Sequence, residues 1–341
     1  MDQNITPQNI RISLPSKGRL AEDCLAFFAN CGLNVHQENP RQYEALIPNL
    51  PGVSVLFQRP ADIVVSVRDG SVDFGITGFD VVSERRGDDG EVMVLHDALG
   101  FGGCRLSLAV PEIWTNVQCV ADLAKKAAAL PQKLRVATKY PVLTGRFLNQ
   151  NGIQAELIPA EGTLETAPTI GYADMICDIV SSGQTLRDNR LRPLSDGVIL
   201  RSQSVLIANR NSLLQKERSL ETARTLLEFF EAHLRASGDL AIFANIRGDS
   251  PEAIAQRIFN ECSIGGLQGP TVSRVIVREA EQNWYAVNII VKRSEIIQTI
   301  RELRAIGGSG VVAMPITYIF DEEPERIKAM LSALQEQAGR A

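Results

Sequence analysis

The sequence predicts an α/β protein that ends in a small βαββαβ unit. Three observations carry this. Short apolar strands alternate with amphipathic helices through the first two thirds of the 341 residues. Alternation of that kind implies βαβ crossovers and parallel sheet. In the last third the pattern changes to strand, helix, two strands, helix, strand, the order of the ferredoxin-like split unit. At this length the domain-size prior gives two or three domains.

The elements follow in order. Ile10, Ile12 and Leu14 alternate with polar residues as a strand, and Pro15-Ser16-Lys17-Gly18 breaks it. Apolar positions 20, 24, 27, 28 and 31 then have helical spacing, stopped by Gly32. Pro60 opens a helix that Gly70 ends, and 72–77 is a short buried strand. Strands are predicted at 106–110, 134–138 and 155–158, with a helix from Pro141 to Gly152. The run 175–180, broken only by Asp178, reads as a central parallel strand buried on both faces. A strand at 204–209 and an amphipathic helix at 220–234 complete this part. The ferredoxin-like order comprises strand 239–246, a helix capped by Ser250-Pro251, strand 271–277, a loop at 279–283, strand 284–291, helix 294–305 and strand 311–319. The tail from Glu322 reads as a charged surface helix.

Composition narrows the function. Thirty-five basic against forty acidic residues give a net charge of −5. That argues against non-specific nucleic-acid binding, which needs a basic excess. The six cysteines, at 24, 31, 104, 119, 177 and 262, have no CxxC spacing and read as reduced thiols of a cytoplasmic protein. His36, His96 and His233 are scattered, so no histidine-rich metal site is expected. The N-terminus lacks signal-peptide character, and no apolar run is long enough to span a membrane.

Four segments carry candidate chemistry. In Asp178-Ile179-Val180-Ser181-Ser182-Gly183-Gln184-Thr185 an acid ends an apolar strand, and a turn of small hydroxyl residues opens a helix. Free backbone N–H groups and hydroxyls there suit a phosphate, and Asp178 suits sugar hydroxyls. The same turn reads equally well as a capped helix whose hydroxyls bind only its own backbone. Ser16-Lys17-Gly18-Arg19 puts two cations at a strand-to-helix turn, where α/β sheets bind ligands. Arg19 there can neutralise charge on a departing pyrophosphate, but a solvated basic turn is the plainer reading. Arg59 and Asp80 are weaker signals, since lone charges usually lie on the surface. The glycines of Gly100-Phe101-Gly102-Gly103-Cys104-Arg105 read as a hinge or as close backbone packing between lobes. Glu161-Gly162-Thr163-Leu164-Glu165 offers two carboxylates for a magnesium ion or a ribose, or simply for a helix start. No Ser/His/Asp or Cys/His pattern is present, which favours chemistry by positioning and charge stabilisation.

Taken together, these segments resemble the ATP phosphoribosyltransferase family in its long form, the first enzyme of histidine biosynthesis. The matching pieces are RISLPSKGRL (11–20), RPADI (59–63), DFGITGFD (73–80), GFGGCRLSLA (100–109), RVATKYPVL (135–143), GTLETAP (162–168) and ADMICDIVSSGQTL (173–186). Further along, GPTVSRV (269–275) and GGSGVVAMPI (307–316) resemble its histidine-binding domain. The tail from 322 and the long segment around Gly265-Gly266-Leu267-Gln268-Gly269 depart from the pattern.

The resemblance implies a two-lobed body like a type II periplasmic binding protein and a C-terminal ferredoxin-like regulatory domain. Lobe I would comprise residues 1–106 and 199–236, lobe II 107–198, and the regulatory domain 239–341 with its extra tail. It implies transfer of the phosphoribosyl group from phosphoribosyl pyrophosphate to N1 of ATP, with Mg²⁺ present, and feedback inhibition by L-histidine. Arg19, Arg59 and Asp178 would be catalytic. Asp178, Ser181, Ser182, Gly183, Gln184 and Thr185 would bind phosphoribosyl pyrophosphate. Lys17, Gly18, Arg19, Arg59, Asp80 and Glu165 would face ATP or pyrophosphate, with the Gly102-Gly103 turn nearby. Thr271 and Ser273 would meet the effector, or be plain strand residues. No side chains are assigned to a metal. A cytoplasmic homo-oligomer, dimer to hexamer, is implied, with no nucleic-acid or membrane partner. Two other readings stand beside it: a cytosolic two-lobed ligand sensor, and a prephenate-dehydratase-like enzyme, for which Thr144-Gly145-Arg146-Phe147 is only a partial echo.

Overall fold

A computed structural model describes residues 9–338 except 38, 40, 41, 88, 161, 264–268 and 277–282. Glu161, the segment 265–268 and the loop residues 279–282 singled out above therefore lie outside the described residues. The chain divides into two compact units, 1–227 with 323–341, and 228–322.

The first unit opens with β1 (Ile10–Pro15), α1 (Gly18–Asn30), β2 (Glu44–Leu46), β3 (Val53–Gln58), α2 (Pro60–Arg68), β4 (Phe74–Gly78), α3 (Phe79–Arg85) and β5 (Val92–His96). The chain then crosses to β6 (Cys104–Pro111), α4 (Val120–Ala129), β7 (Leu134–Thr138), α5 (Pro141–Gln150), β8 (Ala155–Pro159), β9 (Met175–Val180), α6 (Gln184–Asp188) and β10 (Leu191–Ser202). It returns as β11 (Ser204–Asn209), α7 (Arg210–Gln215) and α8 (Glu217–Ala236). Two sheets result, ordered β2-β3-β1-β4-β11-β5 and β10-β6-β9-β7-β8, one per lobe.

Both sheets are mixed, where the sequence predicts parallel ones. In lobe I the parallel trio β3-β1-β4 is extended by antiparallel β11 and edged by antiparallel β2. In lobe II the trio β8-β7-β9 is extended by antiparallel β6 and β10. Met175, Ile176 and Cys177 are fully buried, as the apolar run requires. Burial on both faces, not strand direction, produces that run: β9 is parallel to β7 but antiparallel to β6.

The lobe crossings also move. β6 and β10 both belong to lobe II, so the crossings fall between His96 and Cys104 and at Gln203 rather than at 106/107 and 198/199. Gly102 in the first crossing has φ +69, and a Cβ there would lie 2.6 Å from Ser204 Oγ, at the start of β11 just after the second. Only glycine allows both the left-handed backbone and that approach.

The second unit holds the end of α8, then β12 (Asp239–Arg247), α9 (Pro251–Glu261), β13 (Thr271–Val275), β14 (Trp284–Lys292), α10 (Ile296–Ala305) and β15 (Ser309–Pro315). Ser250 caps α9 by accepting from Ala253 N–H at 3.1 Å. The antiparallel sheet order β13-β14-β12-β15 is that of the ferredoxin-like unit. Its core lies on the α9/α10 side, around Ile242, Ile246, Ile254, Ile258, Val287 and Leu303. β15 ends at Pro315, so residues 316–319 leave the sheet instead of prolonging it. They run beside the end of α8, where Phe229 packs edge-on against Tyr318 and Phe320 and Ile319 N–H donates to Ala232 O at 3.0 Å.

The tail, expected with the regulatory domain, packs in the first unit as α11 (Glu325–Ala338). Ile327, Met330 and Leu334 form a buried stripe at helical spacing, in contact with β5, and Arg326 pairs with Asp97 at 2.6 Å. Three buried apolar side chains outweigh the charged outer face in deciding where this helix goes.

Candidate functional site

In α/β sheets ligands sit beyond the carboxyl ends of the parallel strands. Lobe I offers three such ends. β1 leads into Ser16-Lys17, with Gly18 at φ +72 opening α1. β3 leads into Arg59, just before Pro60 at the first position of α2. β4 leads through Gly78 into Asp80. Lys17, Arg19 and Arg59 are exposed; Arg19 pairs along its own helix with Asp23 at 3.6 Å.

Asp80 differs from the expectation of direct substrate contact. It is 3% exposed. Its Oδ2 accepts from Tyr140 Oη at 2.6 Å and its Oδ1 from Ser202 Oγ at 2.6 Å. A carboxylate so committed joins lobe I to lobe II rather than reaching for a phosphate.

Lobe II presents the ends of β8, β7 and β9. β7 is followed by Lys139 and Tyr140, the latter N–H held by Thr138 Oγ1 at 2.9 Å. Asp178 lies on β9 with its Oδ1 accepting from Ile179 N–H at 2.8 Å and its Oδ2 3.9 Å from Lys139 Nζ. Burial pushes the Asp178 carboxyl above the usual range, helped by Glu165 and Asp80; Ile179 N–H and Lys139 oppose that. Burial and Asp80 likewise hold the Tyr140 phenol far above its ordinary value, so it acts as a neutral donor.

The turn after β9 is open. Ser181, Ser182, Gln184 and Thr185 are exposed and Gly183 is half-buried. Gly183 has φ +75 where it precedes α6, which explains the glycine. Ser182 Oγ accepts from Gln184 N–H at 3.3 Å, and the Gln184 side chain is tied within its helix to Asp188 and Arg187. Gln184 is therefore less available than its neighbours. The Ser181 and Thr185 hydroxyls have no protein partner among the described residues.

The two sets of strand ends meet across a cleft. Glu84 of α3 accepts from Val142 N–H at 2.8 Å and Leu143 N–H at 2.9 Å, the free amides at the start of α5. Beside this latch lies a cavity of about 780 Å³, lined by Arg59, Asp62 and Arg85 from lobe I and Lys139, Tyr140 and Gly162 from lobe II. Of the residues expected at the site, Arg59 alone lines it directly. Asp178 borders it through Lys139, Asp80 through Tyr140, and the Glu165 charge acts on Asp178; Lys17 and Arg19 do not line it. Lys139, Tyr140, Glu84 and Arg85 were not singled out from the sequence. A signal was there: strand, cation and helix-opening proline occur twice, at Arg59-Pro60 and at Lys139-Tyr140-Pro141.

No group of three His, Cys, Asp or Glu side chains suited to a metal occurs among the described residues. The thiols at 24, 31 and 177 are buried, and those at 104, 119 and 262 partly so; burial raises Cys177 to about 12.

Within the second unit Thr271 stands opposite Asn288 on the sheet face away from the helices. Both line a cavity of about 420 Å³ with Arg235, Phe320 and Asp321. Asn288 Oδ1 is buried there without a hydrogen-bond partner among the described residues. Ser273 is exposed and does not line this cavity.

Comparison with known proteins adds a separate line. Residues 59–229 match the family model described as ATP phosphoribosyltransferase, and residues 236–318 match that described as HisG, C-terminal domain. The chain is 43% identical over 334 residues to ATP phosphoribosyltransferase 2, chloroplastic, of Arabidopsis thaliana, covering 96% of this chain and 81% of that one. It is 36% identical over 313 residues to an ATP phosphoribosyltransferase of Gemmatimonas aurantiaca, covering 90% and 98%. Among solved structures it is similar to the ATP phosphoribosyl transferase (HisG:HisZ) complex from Thermotoga maritima, with 25% identity and a TM-score of 0.50 over 65% of this chain and 98% of that one.

Proposed function

Because this chain belongs to the ATP phosphoribosyltransferase family, it transfers the phosphoribosyl group of phosphoribosyl pyrophosphate to N1 of ATP, and we propose that it does so at the facing strand ends of its two lobes. This is the first step of histidine biosynthesis. The observation that carries the site is the neighbourhood of Asp178: a raised carboxyl beside Lys139 at 3.9 Å, next to the open Ser181–Thr185 turn and the cavity that Arg59 lines.

Adenine N1 already bears a lone pair, so the reaction needs no strong base. No histidine is among the described residues that line the cleft. Asp178 holds the ribose hydroxyls, and Ser181, Ser182, Gly183 and Thr185 hold the 5-phosphate with hydroxyls and backbone N–H groups. As the bond from C1 to pyrophosphate breaks, negative charge grows on the leaving oxygens. Arg59, with Lys17 and Arg19, stabilises it; fixed charges aimed at developing charge supply the largest share of such catalysis. The Arg19–Asp23 pair is exposed and worth little, so little opposes turning Arg19 toward a phosphate. Asp80 acts through Tyr140, whose position it fixes.

Mg²⁺ fits this donor set as an ion carried chiefly by pyrophosphate oxygens and water, as is usual for Mg²⁺ with phosphate substrates. Glu165 is the carboxylate that would complete its shell. When bound, the ion supplies neutralisation of the pyrophosphate charge.

The cavity at Thr271, with Arg235, Asp321 and the unpartnered Asn288, supports feedback inhibition by L-histidine at the second unit. Inhibition through a separate unit requires unequal affinity for two states of the whole protein. A homo-oligomer, dimer to hexamer, and a cytoplasmic location complete the proposal; no helix of the described residues is long and apolar enough to cross a membrane.

The test is an absorbance assay for phosphoribosyl-ATP with ATP, phosphoribosyl pyrophosphate and Mg²⁺, with and without L-histidine. Product that falls with histidine is expected. Folded protein that yields no product would remove the catalytic reading, and product insensitive to histidine would remove the regulatory one.

A further inference from the structure

The charged lining of the 780 Å³ cavity is uneven. It comprises Arg59, Arg85 and Lys139 against Asp62 and Glu84. Glu84 is already spoken for by two amide donors of α5, which leaves three cations facing one exposed acid. Among the described residues, neither Arg59 nor Arg85 has an ion-pair partner. Lys139 has one, Asp178, at 3.9 Å, the far limit of such a contact, with 42% of its side chain exposed. A contact that long, with Lys139 half-exposed, adds little stability. Three cations held round one cavity repel one another and are unprofitable for folding, so their convergence points to an anion.

Register fixes which part of a substrate that anion is. β7 and β9 run parallel with Thr138 opposite Cys177, so Lys139 and Asp178 are neighbours one step beyond. The Asp178 side of this pair leads to the Ser181–Thr185 turn; the Lys139 side opens into the cavity. On the transferase reading above, on which this inference rests, ribose lies at Asp178 and its 5-phosphate at the turn. A phosphate chain extending from the reacting centre then enters the cavity.

We propose that Lys139 and Arg85 are further substrate-binding residues, which with Arg59 hold a polyphosphate chain in the cavity between the lobes. The chain belongs either to phosphoribosyl pyrophosphate or to ATP; the chemistry recognised is the same. Lys139 touches both the chain and Asp178, so it couples phosphate binding to the group that orients the ribose. Arg85, in the last turn of α3, comes from the opposite lobe, and a ligand bridging it to Lys139 draws the lobes together.

The full chain with Lys139→Met, Lys139→Arg and Arg85→Gln tests this, with KM measured for each substrate and binding of inorganic pyrophosphate measured by calorimetry. Lys139→Met should raise KM for at least one substrate about tenfold and weaken pyrophosphate binding alike, the loss expected for one charge-assisted contact. The substrate whose KM moves identifies the source of the chain. Arg85→Gln should move the same KM in the same direction, and Lys139→Arg should restore most of the affinity. Unchanged KM values and pyrophosphate affinity in folded Lys139→Met would overturn the proposal for Lys139; the same result in Arg85→Gln, an exposed position safe for folding, would overturn it for Arg85. Should wild-type protein make no product, the transferase reading fails, while the pyrophosphate measurement still decides whether the three cations form a phosphate site.

Discussion

Asp178, on the proposed reading of the site, sets stability against activity. Its carboxyl titrates above the reference value of 3.8 because burial disfavours the charged form. A carboxyl raised on folding gives its stabilising contribution below that reference value and loses it as pH rises through the raised value. At neutral pH the ionised group therefore weighs against the fold. Asp178→Asn keeps an oxygen for Ile179 N–H and removes the charge. It should raise Tm by ~1–3 °C near pH 7 while cutting turnover by roughly 100-fold or more, the scale of losing a group that orients the reacting centre. Below about pH 4 the Tm difference should disappear. A Tm that drops at neutral pH would show that the Lys139 pair, not burial, governs this group. Glu84 is the opposite case, a carboxylate that stabilises by accepting two amides at a helix start. Glu84→Ala should cost about 1 kcal/mol and speed hydrogen exchange at Val142 and Leu143; exchange unaltered at those two amides would mean the latch is not formed in solution.

Among the elements, those with strong periodicity were legible and those shaped by partners were not. The sequence marks 134–138, 175–180 and 204–209 as strands, and β7, β9 and β11 have those limits. β2 has three residues, pairing with β3 and, at Leu46, bridging to His36, so it has no periodicity to read. β10 runs from Leu191 to Ser202 through Pro193 and Gly197 with two register shifts, and its turn-like composition hides a long edge strand. Of the proposed site, Asp178 and the following turn stand out in the sequence because an acid ending an apolar run is conspicuous. Lys139 and Arg85, proposed above, do not, because a surface cation gains its meaning only from what the opposite lobe brings. The tail was legible as a helix, yet its destination was not: Ile327, Met330 and Leu334 name an apolar stripe but not the strand that receives it. Met330→Ala or Leu334→Ala should cost ~2–4 kcal/mol by calorimetry, the usual range for emptying a core site. A loss under about 0.5 kcal/mol, typical of surface changes, would mean that α11 is not docked.

On the scale of the whole molecule, the chain leaves the first unit through α8 and re-enters it as α11. Arg224 and Glu323, on either side of the departure, lie 3.9 Å apart. The second unit is thus an insertion, and cutting the chain near residue 239 removes α11 along with it. Excising 228–322 and joining the ends with a short Gly/Ser linker should leave a folded, histidine-insensitive transferase. Deleting everything from 239 onward should instead yield a less stable one, with a lower Tm; equal Tm values for the two truncations would contradict this topology. The entry and exit of the insertion are neighbours inside the second unit, where Phe229 packs on Tyr318 and Phe320. The exit leads on into α11, and α11 lies against β5, the strand that runs straight into the glycine-bearing crossing between the lobes.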